Sequence, residues 1–300
     1  MSLHTWGLLL LLSVLWGGSF FFAKVAVSEL PPLVLVFGRV ALAALALNVL
    51  GAFSRKSLFR RGTPWSAYFA MGALNNVIPF SLIFWGQTHI ASGMAAILNA
   101  TTPLFTVVVA HLLSTEERIT PSKTAALAAG FLGVTVLIGP AAVQRLDAGL
   151  WGQIACLGAA LSYAFAGIYG RRFTAMGIAP AEAAAGQLTA SSMLILPIML
   201  ALDGTRPLVA WHPPAVWAAL VALALLSTAF AYVLYFRILA VAGATNLLLV
   251  TFLIPVTSNL LGVAFLGEEL TFRQIAGMLL VGAGLMLIDG RAVRALRPAK

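Results

Sequence analysis

Ser92 to Pro121 reads SGMAAILNATTPLFTVVVAHLLSTEERITP, and the chain nearly repeats it from Ala244 to Thr271 as ATNLLLVTFLIPVTSNLLGVAFLGEELT. Each copy is an apolar run of helical length with polar residues and a proline near its middle. Each ends in paired glutamates followed at once by a helix start. Pro103 corresponds to Pro255, and Glu116-Glu117 to Glu268-Glu269, both at a separation of 152 residues. A chain that builds the same irregular helix twice is expected to hold something between the copies.

Composition sets the solvent around those helices. Of 300 residues, 61% are hydrophobic and 9% charged, with a mean hydropathy of +1.00, against about 25% charged residues in a soluble domain. These values point to an all-α integral membrane protein, because a helix satisfies its own backbone inside lipid. The net charge of +9 then reads as basic residues gathered in cytoplasmic loops and not as a nucleic-acid surface. Cys156 is the single cysteine and the four His are scattered, so neither a metal cluster nor an intramolecular disulfide is expected. Residues 6–15 resemble the apolar part of a secretory signal. No basic segment precedes them, however, no small-residue cleavage site follows, and the run continues to Ala23. The segment reads as an uncleaved first helix.

A hydrocarbon core of about 30 Å needs roughly 20 residues per helix. Ten such spans are predicted, over 5–27, 32–53, 65–87, 91–113, 121–140, 149–170, 181–202, 214–238, 244–266 and 272–289. With an even number of spans both termini share a side. Arg55, Lys56, Arg60, Arg61, Arg118, Lys123, Arg171, Arg172, Arg237, Arg291, Arg294, Arg297 and Lys300 fall on that side, against Lys24, Arg145, Arg206 and Arg273 on the other. The imbalance places both termini in the cytoplasm.

Further matches extend the repeat: Trp6-Gly7 with Trp151-Gly152, Gly38-Arg39 with Gly186-Gln187, Trp65 with Trp217, and Gly133 and Gly139 with Gly284 and Gly290. The predicted domains are a five-helix repeat over 1–140, a second over 149–290 and a basic cytoplasmic tail over 291–300. An odd number of helices per unit forces the second copy to insert upside down. Transporters use such inverted repeats with the site at the midplane between the halves.

Those motifs also carry a family resemblance. LWGGSF at 15–20, Gly38-Arg39, the proline helix ending in Glu116-Glu117, and its copy from Pro255 to Thr271 together resemble the EamA-type branch of the drug/metabolite transporter superfamily, over almost the whole chain. Within that branch the chain most resembles exporters of amino acids, especially aromatic and hydrophobic ones. The resemblance implies a carrier in the cell inner membrane that works by alternating access around a midplane cavity, with no cofactor and no catalytic residue. Relatives that carry nucleosides, sugars or organic cations leave another metabolite or drug open as the substrate. A phosphorylated substrate is disfavoured, since it should recruit more than one buried cation.

The residues suggest where a substrate would pass. Ser92, Asn99, Thr102 and Thr106 of the fourth span fall within an arc of roughly 80° at about 100° per residue. The ninth span offers Thr251 and Ser258. A polar stripe in lipid faces protein or a water-filled cavity, so Asn99 and Thr251, equivalent in the repeat, are read as lining the substrate path. Hydrogen bonding between helices is the other reading. Pro103 and Pro255 each free the carbonyl one turn earlier. Those carbonyls belong to Asn99 and Thr251, and both are expected to face a cavity. Asn76 with Phe80, and Thr228 with Tyr232, share an i, i+4 pattern in spans three and eight. Trp16 with Phe20 has it in span one, and Tyr163 lies in span six. Polar groups interleaved with aromatics suit a mostly apolar pocket with a few orienting hydrogen bonds, or plain bundle packing.

Arg39 is the only basic residue well inside a span, about 10 Å past Pro32 at 1.5 Å per residue. It is expected to snorkel or to pair, with Glu29 as the candidate partner, in a structural or gating role. Attraction of a substrate carboxylate is the alternative. No acidic residue sits at mid-membrane, and His111 lies near the cytoplasmic end, so facilitated diffusion or exchange is expected over a proton relay. The Glu pairs read as solvated turns before the capped starts at Thr120-Pro121 and at Thr271 with Gln274, with a salt-bridge gate as the alternative. Gly130, Gly133, Gly277 and Gly284 suit close helix packing. Helices five and ten are therefore expected to be scaffold, in a monomer or in a weak homodimer that meets through them. An enzyme is disfavoured because the Ser and His positions form no catalytic set and no His-Glu-x-x-His occurs. A channel would need carbonyl or charged rings, which the sequence does not offer.

Overall fold

The computed structural model describes residues 3–53, 62–113, 119–145, 147–247 and 249–289. Among them the regular structure is helical throughout: α1 (Leu3–Ala26), α2 (Pro32–Phe53), α3 (Trp65–Gln87), α4 (Ser92–Leu113), α5 (Pro121–Gly139), α6 (Ala148–Ala175), α7 (Pro180–Leu202), α8 (Pro214–Gly243), α9 (Leu249–Leu266) and α10 (Phe272–Asp289). Nine of these described helices are long and apolar enough to cross a membrane. The tenth predicted span is the exception, because the apolar part of α10, Phe272–Ile288, is shorter. Prolines 32, 121, 180 and 214 open their helices, where a missing N–H costs nothing. Gly139 (φ 69°) and Gly243 (φ 76°) break α5 and α8 with a left-handed residue, a conformation glycine adopts freely. The predicted Glu116-Glu117 pair, the basic segment 54–61 and the tail 291–300 lie outside the described residues.

The helices pack in a patterned way. α1 lies on α8 and α9, α2 on α7 and α8, α3 on α6 and α7, α4 on α6 and α9, and α5 on α10. The pattern is unchanged when each helix is exchanged for the one five places along. The α5–α10 pair depends on glycine. A Cβ on Gly133 would lie 2.8 Å from the Val281 amide nitrogen, and one on Gly284 would lie 2.7 Å from the Ala126 carbonyl oxygen. Only small residues let backbones approach so closely. These glycine faces are taken up within the chain, so a homodimer would have to use other faces of the same helices.

Three helices depart from regular α geometry. α4 consists of two helices, Ser92–Asn99 and Thr102–Leu113, joined by a turn at Ala100-Thr101. There the Thr102 hydroxyl donates to the Asn99 carbonyl at 2.7 Å, and the Thr101 hydroxyl donates to the Leu98 carbonyl at 2.6 Å. The carbonyl freed by Pro103 is thus satisfied locally, which corrects the expectation that it faces a cavity. α9 runs unbroken through Pro255. α3 and α8 each contain a π-turn, at Ala73–Val77 and Leu225–Phe230. A π-turn inserts an extra residue and disturbs the hydrogen-bond ladder. Side chains compensate: Ser162 Oγ donates to the Leu74 carbonyl at 2.7 Å, and Thr228 Oγ1 donates to the Leu223 carbonyl at 2.9 Å.

Candidate functional site

A polar network crosses the bundle where α3, α7 and α8 meet. Asn75 Nδ2 donates to Gln187 Oε1 and to the Tyr232 hydroxyl, each at 3.2 Å, and Gln187 Nε2 reaches the same hydroxyl at 3.4 Å. Asn76 is fully buried on another side, donating to Ser191 Oγ at 3.0 Å. The sequence pattern assumes a uniform α period and so pairs Asn76 with the aromatic face. Both asparagines lie in the π-turn, whose extra residue shifts the phase, and it is Asn75 that meets Tyr232.

Arg39 projects from α2 beside this network. It neither snorkels nor pairs with Glu29, which is exposed at the end of α1. Arg39 keeps only 7% of its surface exposed. Its Nε donates to Thr228 Oγ1 at 2.9 Å, and its Cζ stands 3.8 Å from the centre of the Phe80 ring. A guanidinium over an aromatic face is a favourable electrostatic contact. Phe80 itself stacks on Phe84 at 6.0 Å. Tyr163 and Tyr232 lie within electrostatic reach of Arg39. Trp16 of α1 meets Tyr235 of α8 at 5.6 Å. Phe20 is buried one turn further along, where its carbonyl accepts from Gln87 Nε2 at 2.8 Å.

One end of the bundle is tied together by Glu268 and Lys24. The Glu268 carboxylate accepts from the Ser92 amide at 2.6 Å, the Ser92 hydroxyl at 2.9 Å and the Gly93 amide at 3.2 Å. An anion at a helix N-terminus meets both free N–H groups and a favourable dipole. The expected solvated turn is thereby corrected for Glu268, which turns inward onto α4, while Glu269 stays exposed. The capped start after the pair does form, with Thr271 N donating to Gln274 Oε1 at 2.8 Å and Gln274 N to Thr271 Oγ1 at 3.3 Å. Lys24 fastens the same end, its Nζ donating to the Gln87 and Ile90 carbonyls at 2.6 and 2.9 Å.

α4 and α9 touch at this end. Ser258 Oγ donates to the Ser92 carbonyl at 3.3 Å, and Gly93 lies against the Asn259 amide. Asn99 and Thr251 sit seven residues further along their helices, about 10 Å at 1.5 Å per residue. Both are half-buried, and Asn99 Oδ1 is enclosed without a partner among the described residues. A half-open groove of about 380 Å³ on the bundle's side is lined by Leu74, Leu113, Phe165, Ile168, Tyr169 and Arg172 and by none of the network residues. No three metal-ligating side chains converge among the described residues. What the site offers is hydrogen bonding, ring faces and one buried cation.

This architecture has known counterparts. A profile described as the EamA-like transporter family matches residues 5–139 and again 150–289. The chain belongs to the EamA-like transporter family. It is accordingly a member of the drug/metabolite transporter superfamily, and a multi-pass membrane transporter of small molecules. This EamA-like chain is 26% identical over 276 residues to the "Uncharacterized transporter YoaV" of Bacillus subtilis (strain 168), which spans 92% of this chain and 93% of the relative. It is also 26% identical over 289 residues to a "Probable amino-acid metabolite efflux pump" of Salmonella typhimurium, across 93% of each. A solved crystal structure superposes with a TM-score of 0.66 over 93% of this chain and 95% of that one, at 19% identity, which shows a shared fold.

The geometry adds Asn75 and Gln187 to the residues that sequence reasoning singled out as candidates, and it makes Thr228 the hydrogen-bond acceptor of Arg39. Gln187 carried a signal, as the repeat counterpart of Arg39. Nothing local marked Asn75 over Asn76.

Proposed function

We propose that this EamA-like transporter is a secondary carrier that exports amino acids, with aromatic and hydrophobic ones favoured, across the cell inner membrane by alternating access. One observation carries the reading: the Asn75–Gln187–Tyr232 network stands beside Arg39 and Phe80 inside an apolar bundle. A few fixed polar groups among aromatic walls orient a small amphipathic molecule. Trp16, Phe20, Tyr163 and Asn76 belong to the same central region, and Asn99 and Thr251 line the way to it. The name of the Salmonella typhimurium relative points to the same substrate class.

The topology proposed with it is ten spans in two inverted five-helix repeats, both termini cytoplasmic. The exchange-symmetric packing supports the repeat, as do the π-turns, which begin 152 residues apart at Ala73 and Leu225. On this topology the Glu268 end faces outward, and the conformation is closed to the outside. Transport then requires the Glu268 and Lys24 contacts to open.

Purified protein in liposomes, screened for uptake over amino acids, sugars and nucleosides, tests the reading. Saturable movement of phenylalanine or leucine is expected. Movement of a nucleoside or sugar with no amino acid moving would refute the substrate class.

A further inference from the structure

Arg39 is a buried cation with most of its hydrogen-bonding capacity unused. Guanidinium has five N–H donors. Among the described residues only Nε has a hydrogen-bond acceptor, Thr228 Oγ1. The two terminal nitrogens have none, yet they are not among the polar atoms enclosed without a partner. They therefore border space that a ligand or water can enter. Phe80 covers one face of the guanidinium plane and leaves its edge free.

Among the described residues no anion balances this charge. The chain has nine Asp and Glu, and those among the described residues lie between spans or at a helix end. Glu29 is exposed, Asp147 caps α6, Glu182 is in the first turn of α7, Asp203 follows its last turn and Glu268 is committed to α4. Arg39 donates to Thr228 and has Tyr163 and Tyr232 within electrostatic reach, none of them charged at neutral pH. Holding an unpaired charge away from water is costly, and an ionisable residue inside a membrane protein marks a ligand path by default.

We infer that the central site binds its substrate by a carboxylate, which pairs with the terminal nitrogens of Arg39, and that it makes no ionic contact with an amine. The ligand class is the organic monocarboxylate with an aromatic or aliphatic body, of which amino acids are one kind. The fork of guanidinium matches a carboxylate through two parallel hydrogen bonds. The Asn75, Gln187 and Tyr232 groups and the Phe80 ring supply neutral contacts for the rest of the molecule. An ammonium group finds only carbonyl oxygens, hydroxyls and ring faces here, so its removal is tolerated. A single cation also favours a monoanion over a phosphate dianion.

The inference rests on the central network being the transport site, as proposed above, but it does not require that amino acids be the preferred cargo. Calorimetric binding to the purified full-length protein separates the two. The probes are L-phenylalanine, 3-phenylpropanoate, 3-phenylpropanamide and 2-phenylethylamine. Wild-type protein is expected to bind 3-phenylpropanoate within about threefold of phenylalanine. It should bind the amide and the amine about 10- to 100-fold more weakly, the loss of one charge-assisted contact. In Arg39→Gln the acid and the amide should bind alike. The wild-type series decides the matter alone if that variant does not fold. Binding of 3-phenylpropanoate without phenylalanine supports the inference and counts against the amino-acid reading. Binding of phenylalanine and 2-phenylethylamine without 3-phenylpropanoate overturns the inference and leaves the amino-acid reading standing. Failure of both carboxylates to bind overturns it as well, as does an acid-to-amide preference that survives in Arg39→Gln.

Discussion

Glu268 holds one end of the bundle with a single carboxylate, and a neutral amide in its place should loosen that end. Its three contacts reach a helix start 176 residues earlier in the chain. Hydrogen bonds to a charged group contribute about 1.5–3 kcal/mol each when buried, and less for a side chain half open to solvent. Glu268→Gln is expected to raise maleimide labelling of an Ala91→Cys reporter about 5- to 30-fold, as a shift of 1–2 kcal/mol toward the open state allows. The native Cys156 is buried and should stay silent. Labelling at the wild-type rate would mean that Glu268 is not part of the closure. The glutamate pair itself was plain in the sequence, twice. Its partner was not, because capping rules address the adjacent turn and not a helix from the other half. Arg39 shows the same limit: its depth was legible, but the Thr228 hydroxyl and the Phe80 face that hold it come from two other helices.

Among the elements, the spans were legible because composition dictates them, and the bounds of α2, α3 and α7 fall within a residue of expectation. α8 runs further than predicted, to Gly243, since only the left-handed glycine stops it. The two π-turns were not legible. Neither ALNNV nor LLSTAF contains a proline or glycine, and both turns are stabilised by hydroxyls reaching irregular carbonyls. Pro103 did signal an irregular α4, and local Thr101 and Thr102 hydroxyls take up the carbonyls at a break between two helices. The Ser162 bond to the Leu74 carbonyl is a direct check on this view of the π-turn in α3. Ser162→Ala leaves a carbonyl in the helix interior without its partner, at a cost of about 1–3 kcal/mol. A lower thermal midpoint in detergent is expected; an unchanged midpoint would mean that the π-turn does not depend on that hydroxyl.

At the scale of the whole molecule, eight helices enclose the centre while α5 and α10 clasp each other through glycine to one side. The repeat was legible from ordered matches, yet their partnering was not. Asn99 and Thr251 were singled out as facing equivalents, while the structure joins α4 and α9 about two turns away, at Ser92 and Ser258. A side-chain network joining three helices lies instead among α3, α7 and α8, built from Asn75, Gln187 and Tyr232. That network as the transport site is the central claim. Counterflow of labelled L-phenylalanine into liposomes loaded with unlabelled phenylalanine tests it most directly, with wild type and Asn75→Ala at equal amounts of folded protein. The account predicts saturable exchange by the wild type and a loss of about tenfold or more in Asn75→Ala, the weight of one buried hydrogen-bonding group. Exchange by Asn75→Ala at the wild-type rate would contradict it.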